Sequence, residues 1–175
     1  MNVLLDARGI DEALDRMAAE IAESLPDGCP LGIIGIRRRG DHLARRLIRR
    51  LEARQISGIE FGTLDITMYR DDLAEIGPSA VVLTTEIPFD VDGRYLILVD
   101  DVIYSGRSIR SALAAIIDLG RPRAIRLAVL VDRGGRELPI QPDFVGKHVG
   151  DQAGLHVTVR LTEANDDMDV VEVGA

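Results

Sequence analysis

The segment Leu96-Ile97-Leu98-Val99-Asp100-Asp101-Val102-Ile103-Tyr104-Ser105-Gly106-Arg107-Ser108 constrains the fold more than any other stretch of this chain. An apolar run ends in two adjacent carboxylates, a short turn with hydroxyls and a glycine follows, and helical periodicity then begins. A short, continuous apolar run suits a strand buried on both faces, the environment of a parallel sheet. Ligands of such sheets bind at the carboxyl ends of strands. The N-terminus of the following helix offers free N–H groups and a partial positive charge, which suit a phosphate. Gly106 lets backbone approach a ligand, and Ser105 and Ser108 add hydroxyls. Asp100 and Asp101 can each accept a hydrogen bond from one of two vicinal ribose hydroxyls. The segment therefore reads as a site for both ends of a ribose 5-phosphate. The plainer alternative is that Asp100-Asp101 only ends a strand and Ser108 only caps a helix.

The rest of the chain alternates in the same way. Ile10, Leu14, Met17, Ile21 and Leu25 predict a helix from Gly9 to about Leu25, stopped by Pro26-Asp27-Gly28. Leu31–Ile36 predicts a buried strand. Asp41–Arg54 predicts a helix with Leu43, Leu47, Ile48 and Leu51 on one face and Arg45, Arg46, Arg49 and Arg50 on the other, solvated or facing another subunit. Phe61–Tyr69, Tyr95–Asp100, Ala124–Val131, His156–Leu161 and Asp169–Val173 predict strands, and Ser108–Leu119 a helix ended by Gly120. Arg70–Ser79 reads as a loop or flap. Strands alternating with helices give an α/β class with a mostly parallel sheet flanked by helices. With no linker or repeat in its 175 residues, the chain is expected to be a single domain spanning 1–175.

No apolar run reaches the ~20 residues of a membrane helix. The N-terminus lacks a secretory pattern and Cys29 has no partner cysteine, so a cytoplasmic setting is expected. The net charge of −8 argues against indiscriminate nucleic-acid binding. The charge is uneven, with eight arginines between Arg37 and Arg54 and acidic residues from Glu163 to Glu172.

The strand–Asp-Asp–turn–helix segment resembles the phosphoribosyl pyrophosphate (PRPP) motif of type I phosphoribosyltransferases. More closely, the chain is similar to the PyrR family of bifunctional pyrimidine-operon regulators and uracil phosphoribosyltransferases. The likeness also rests on Ile34-Gly35-Ile36-Arg37-Arg38-Arg39-Gly40, Asp65-Ile66-Thr67-Met68-Tyr69-Arg70-Asp71-Asp72-Leu73 and Val131-Asp132-Arg133-Gly134-Gly135-Arg136-Glu137-Leu138-Pro139. It implies the type I phosphoribosyltransferase fold, with a small hood and a flexible flap. The implied reaction converts uracil and PRPP to UMP and pyrophosphate, with Mg2+ held mainly by PRPP and water.

The resemblance also implies roles. Asp100 and Asp101 would hold the ribose hydroxyls, with Val102 and Ile103 leading into Tyr104, Ser105, Gly106, Arg107 and Ser108 around the 5-phosphate. Arg38, Arg39 and Gly40 would form the pyrophosphate loop, so Arg39, Asp100 and Asp101 are the candidate catalytic residues. Those arginines read otherwise as solvated surface. Tyr69, Arg70, Asp71 and Asp72 would belong to the flap, or to an ordinary polar turn. Asp132, Arg133, Phe144 and Val145 would lie at the base and hood, with Phe144 stacking on the base or serving equally as core. Purine members carry an Asp where Tyr104 stands, and a tyrosine cannot supply that carboxylate at neutral pH, which disfavours a purine.

The regulatory half rests on fewer matches. RNA-binding members carry Thr and His where this chain has Asp15 and Ala19, and many have His at Gly135. Arg16, Arg133, Arg136 and Lys147, the only lysine, match basic positions and are the candidate RNA contacts; the Arg45/Arg46/Arg49/Arg50 face is the other candidate footprint, read more plainly as a solvated or subunit-facing surface. The implied partners are uracil, PRPP, UMP or UTP, pyrimidine-operon mRNA in weakened form, and further copies of the chain as a homo-oligomer. A weakly catalytic or non-catalytic nucleotide sensor is the alternative.

Overall fold

The computed structural model describes residues 1–67, 85–151 and 154–175. The elements are β1 (Asn2–Leu5), α1 (Ala7–Ser24), β2 (Leu31–Ile36), α2 (Gly40–Ala53), β3 (Glu60–Leu64), β4 (Tyr95–Ile103), α3 (Arg107–Leu119), β5 (Ala124–Asp132), β6 (Phe144–His148), β7 (His156–Arg160), a 3-10 turn at Thr162–Ala164, and β8 (Val170–Gly174). Five strands form a parallel sheet in the order β3-β2-β4-β5-β6, and three form an antiparallel sheet in the order β1-β8-β7.

Alternation along the central strands divides the core in two. Ile33, Ile97 and Val99 face the cluster that holds Leu14 and Ile21 of α1 and Leu43 and Leu47 of α2. Ile34, Leu96 and Leu98 face the cluster that holds Ile109, Ala112 and Ile116 of α3. Successive residues of one strand thus pack on opposite faces, and polar substitution is disfavoured on either side. Val159, Leu161 and Val171 tie the antiparallel sheet to the α1/α2 cluster. The Asp6 carboxylate caps α1, accepting from the Gly9 N–H at 2.8 Å.

The predicted elements recur with small shifts at their ends, and β1 and β6 were not anticipated. The N-terminal part of the Phe61–Tyr69 prediction is β3, and the predicted Arg70–Ser79 loop lies outside the described residues. The arginine face of α2 is not uniformly solvated. Arg46 is buried, with Nε 2.7 Å from Glu163 Oε1 and Nη2 2.7 Å from Asp169 Oδ2. Arg50 bridges Asp11 and Asp15 at 3.0 and 2.7 Å. Among the described residues no helix is long and apolar enough to cross a membrane.

The sheet order fixes where a ligand can enter. The chain passes from β2 outward to β3, then returns to place β4 on the other side of β2. The connections that leave β2 and β4 therefore diverge, and a crevice opens between their carboxyl ends.

Candidate active site at the carboxyl ends of β2 and β4

Four segments meet at this end of the sheet. The first is the end of β4. Asp100 Oδ1 accepts from the Asp101 N–H at 2.9 Å, and Asp101 Oδ1 accepts from the Val102 N–H at 2.8 Å. Burial, reinforced by the Asp101 charge, pushes the Asp100 carboxyl well above the usual range. Burial also raises Asp101, opposed by the Val102 N–H and by the nearby Arg39 charge. Two desolvated carboxylates at a crevice are costly unless something else requires them there.

The second segment is the turn into α3. Val102, Ile103, Tyr104, Ser105, Gly106, Ser108 and Ile109 line a cavity of about 160 Å³. Gly106 caps α3 with φ of 93°, a left-handed conformation that side chains disfavour. The Ser105 carbonyl accepts from the Glu137 and Leu138 N–H groups at 2.9 and 3.2 Å, and Arg107 Nε lies 2.6 Å from Glu137 Oε2. The turn is thus held open by the segment after β5.

The third is the turn from β2 into α2. The Arg37–Arg38 peptide is cis, and Arg39 has φ of 74°. Arg37 Nη2 donates to Thr63 Oγ1 at 3.0 Å, and Arg39 Nη2 donates to Asp166 Oδ2 at 3.3 Å. The Nε atoms of Arg37 and Arg39 and Oδ1 of Asp41 are buried without a hydrogen-bond partner. Arg37, Arg38, Asp41, His42, Glu163, Ala164 and Asn165 line a cavity of about 420 Å³.

The fourth is the end of β5. Asp132 Oδ2 pairs with Arg136 Nη2 at 2.8 Å, and Arg136 Nη1 donates to the Tyr104 carbonyl at 2.9 Å. The Arg133 guanidinium lies 3.9 Å from the Tyr104 ring centroid. A Cβ on Gly135 would stand 2.3 Å from Tyr104 Cε2, so this chain's Gly135 is what allows the ring its position.

Arg38, Arg39, Gly40, Asp100–Ser108, Asp132 and Arg133 are therefore brought to one end of the sheet. Phe144 and Val145 are not. Residues 144 and 148 of β6 pair in parallel register with Ala128 and Asp132, so Phe144 begins its strand four residues before the site end. It is buried in the α1/α2 cluster, and the core reading of Phe144 is the one its position supports. The exposed aromatic at the site end is Tyr104, 44% accessible. Tyr69, Arg70, Asp71 and Asp72 lie outside the described residues.

Arg16 donates to the Val145 and Gly146 carbonyls, Arg133 and Arg136 are held against Tyr104 and Asp132, and Lys147 is exposed on β6. Sequence reasoning missed Arg37, Asp41 and Asp166. Arg37 was within reach because it adjoins the other loop arginines. Nothing in the spacing ties Asp166 to Arg39, 127 residues away.

Comparison with known proteins agrees with this fold. A family model described as the phosphoribosyl transferase domain matches residues 2–163, which defines the class. The Bifunctional protein PyrR of Roseiflexus sp. is 50% identical over 168 residues, covering 96% of this chain and 92% of that protein. That of Brevibacillus brevis is 48% identical over 172 residues, covering 98% and 96%. The chain belongs to the PyrR family. Among solved structures, the hypoxanthine phosphoribosyltransferase of Trypanosoma cruzi superposes with a TM-score of 0.74 at 15% identity, covering 99% of this chain and 95% of that one. The hypoxanthine-guanine enzyme of Bacillus anthracis gives 0.74 at 18%, covering 99% and 98%. These likenesses describe the fold.

Proposed function

We propose that the protein is a uracil phosphoribosyltransferase that makes UMP and pyrophosphate from uracil and PRPP. Uracil N1 would attack C1′ of the ribose. The C1′–O bond to pyrophosphate breaks with its electron pair on the leaving oxygen, and the N1 proton passes to solvent. The observation that carries this reading is that the buried Asp100 and half-buried Asp101 carboxylates at the end of β4 lie beside the arginine turn at the end of β2, across the switch point of the sheet.

In this reading Asp100 and Asp101 accept hydrogen bonds from the 2- and 3-hydroxyls. The N–H groups and hydroxyls of Tyr104–Ser108 hold the 5-phosphate. Arg38 and Arg39 neutralise charge that grows on the leaving group. Residues 1–175 act as one domain in this reading. Hard carboxylate oxygens at the strand end suit Mg2+, directly or through water, and no group of three metal-binding side chains occurs among the described residues. Bound with PRPP, Mg2+ supplies further neutralisation of pyrophosphate.

The relatives carry the name bifunctional. The second function proposed here is regulation of pyrimidine genes in response to UMP or UTP, through mRNA contacts that Asp15, Ala19 and Gly135 weaken. The test of catalysis is UMP formation from labelled uracil and PRPP with Mg2+, with hypoxanthine as the comparison. Turnover with uracil and little with hypoxanthine is expected. UMP binding without any turnover would overturn the catalytic reading in favour of a nucleotide sensor.

A further inference from the structure

We infer that Asp166 is a positioning residue that holds the Arg39 guanidinium at the mouth of the site, making affinity for the pyrophosphate end of PRPP depend on the β7–β8 connection. This deepens the proposed function and rests on it.

Arg39 precedes α2 with a positive φ of 74°, at the turn that joins β2 to the helix. A long cation on such a turn has many rotamers, and a free guanidinium would lose them only when its anion arrives. Asp166 removes that freedom beforehand. Its Oδ2 accepts from the Leu161 N–H at 2.8 Å and from Arg39 Nη2 at 3.3 Å. The carboxylate is itself fixed, because its segment is closed on both sides. The Asp166 N–H donates to the Leu161 carbonyl at 3.3 Å, and the Thr162 N–H donates to Asp169 Oδ1 at 2.9 Å. Arg46 of α2 then clamps the segment through Glu163 and Asp169.

A guanidinium is a planar fork of donors, so fixing one nitrogen orients the rest. With Nη2 on Asp166, Nε remains buried without a partner. Arg39 also sits close enough to Asp101 for its charge to oppose the burial that raises that carboxyl's pKa. The cation is therefore held by the Asp166 carboxylate on the side of the strand-end aspartates, where a pyrophosphate beside the ribose would meet it.

The experiment compares Asp166→Asn, Arg39→Ala and the double variant. Asn keeps an oxygen for the Leu161 N–H and loses the charge that holds Arg39. Calorimetry would measure Mg-PRPP, inorganic pyrophosphate and UMP separately, beside kcat, KM and thermal unfolding. For Asp166→Asn, PRPP and pyrophosphate affinities should fall about fivefold to tenfold with UMP affinity unchanged, and KM for PRPP should move more than kcat. The double variant should bind PRPP no more weakly than Arg39→Ala alone. Asp166→Glu should recover part of the affinity. Unchanged or tighter PRPP binding in Asp166→Asn, while Arg39→Ala is impaired, would overturn the inference and leave the proposed function standing. Equal losses for PRPP and UMP with a lower Tm would reduce Asp166 to a structural role. If Arg39→Ala itself leaves PRPP affinity unchanged, the pyrophosphate loop is misassigned and the inference falls with it.

Discussion

Gly40 opens α2 directly against Asp100: a Cβ at Gly40 would stand 3.1 Å from the Asp100 Cα and 2.5 Å from the Val99 carbonyl oxygen. The arginine turn can lie beside the strand-end carboxylates because the first helical residue has no side chain. A Cβ on Gly35 would likewise meet the Asp41 Cα at 2.4 Å, so the turn is pressed onto the sheet from two sides.

Gly40→Ala should therefore push the β2–α2 turn off β4. Overpacking of this kind costs about 1–3 kcal/mol, and PRPP affinity should fall more than UMP affinity. Thermal unfolding and calorimetry on the same preparation check both. Wild-type stability and wild-type PRPP binding would show that the turn tolerates a side chain.

Asp100→Asn should stabilise the fold and weaken ligand binding. Burial holds the Asp100 carboxyl well above its ordinary value. Between the two values the folded protein keeps a proton that the unfolded chain has released. Stability then falls as pH rises through that window, and the cost is complete above it. Asn removes that cost, so Tm at neutral pH should rise by ~3 °C, equivalent to about 1 kcal/mol. UMP affinity should drop by roughly 10- to 100-fold, the loss expected for a hydrogen bond to a charged group. Asp101→Asn should weaken UMP in the same direction. Unchanged UMP affinity in both would remove the carboxylates from the site.

The clamp between α2 and the tail has an acid limit. The Arg46 guanidinium holds Glu163 down at about 2, against an ordinary value of 4.5. Its contribution is full above pH 4.5 and is lost as pH falls toward 2. Glu163→Gln should flatten that part of the acid denaturation curve. Its cost at neutral pH should be only about 1 kcal/mol, because 33% of the Glu163 side chain is accessible. Arg46→Met leaves Glu163 and Asp169 without their shared cation and should cost about 2 kcal/mol, or ~6 °C in Tm. An unchanged acid limb in Glu163→Gln would show that other carboxylates set it.

RNA binding should be weak in the wild-type chain. The net charge of −8 opposes a polyanion at long range, and Asp15 puts a carboxylate on the exposed face of α1. Arg50 offsets part of that charge at 2.7 Å, but is itself shared with Asp11. A gel shift with the organism's own pyrimidine leader and UMP would compare wild type with Asp15→Thr combined with Ala19→His. The double variant should bind more tightly. Nanomolar, sequence-selective binding by the wild type would show that these substitutions are tolerated.

The sequence by itself determined the sheet and the end of it that matters. Continuous apolar runs at Leu31–Ile36, Tyr95–Val99 and Leu127–Val131 suit strands buried on both faces, and the Asp-Asp pair at the end of one of them marks the crevice. These signals are local, written within a dozen residues. Phe144 shows where local reading stops: strand register, which the adjacent residues do not encode, sets it four positions before the site and turns it into the core. Tertiary structure also decided the fate of the arginines. Helical spacing put Arg46 on a polar face, yet Glu163 and Asp169, more than a hundred residues on, bury it as a paired charge. The same fold-back brings Asp166 to Arg39. An ion pair depends on which surfaces the chain folds together, and a one-dimensional pattern of charges does not carry that information.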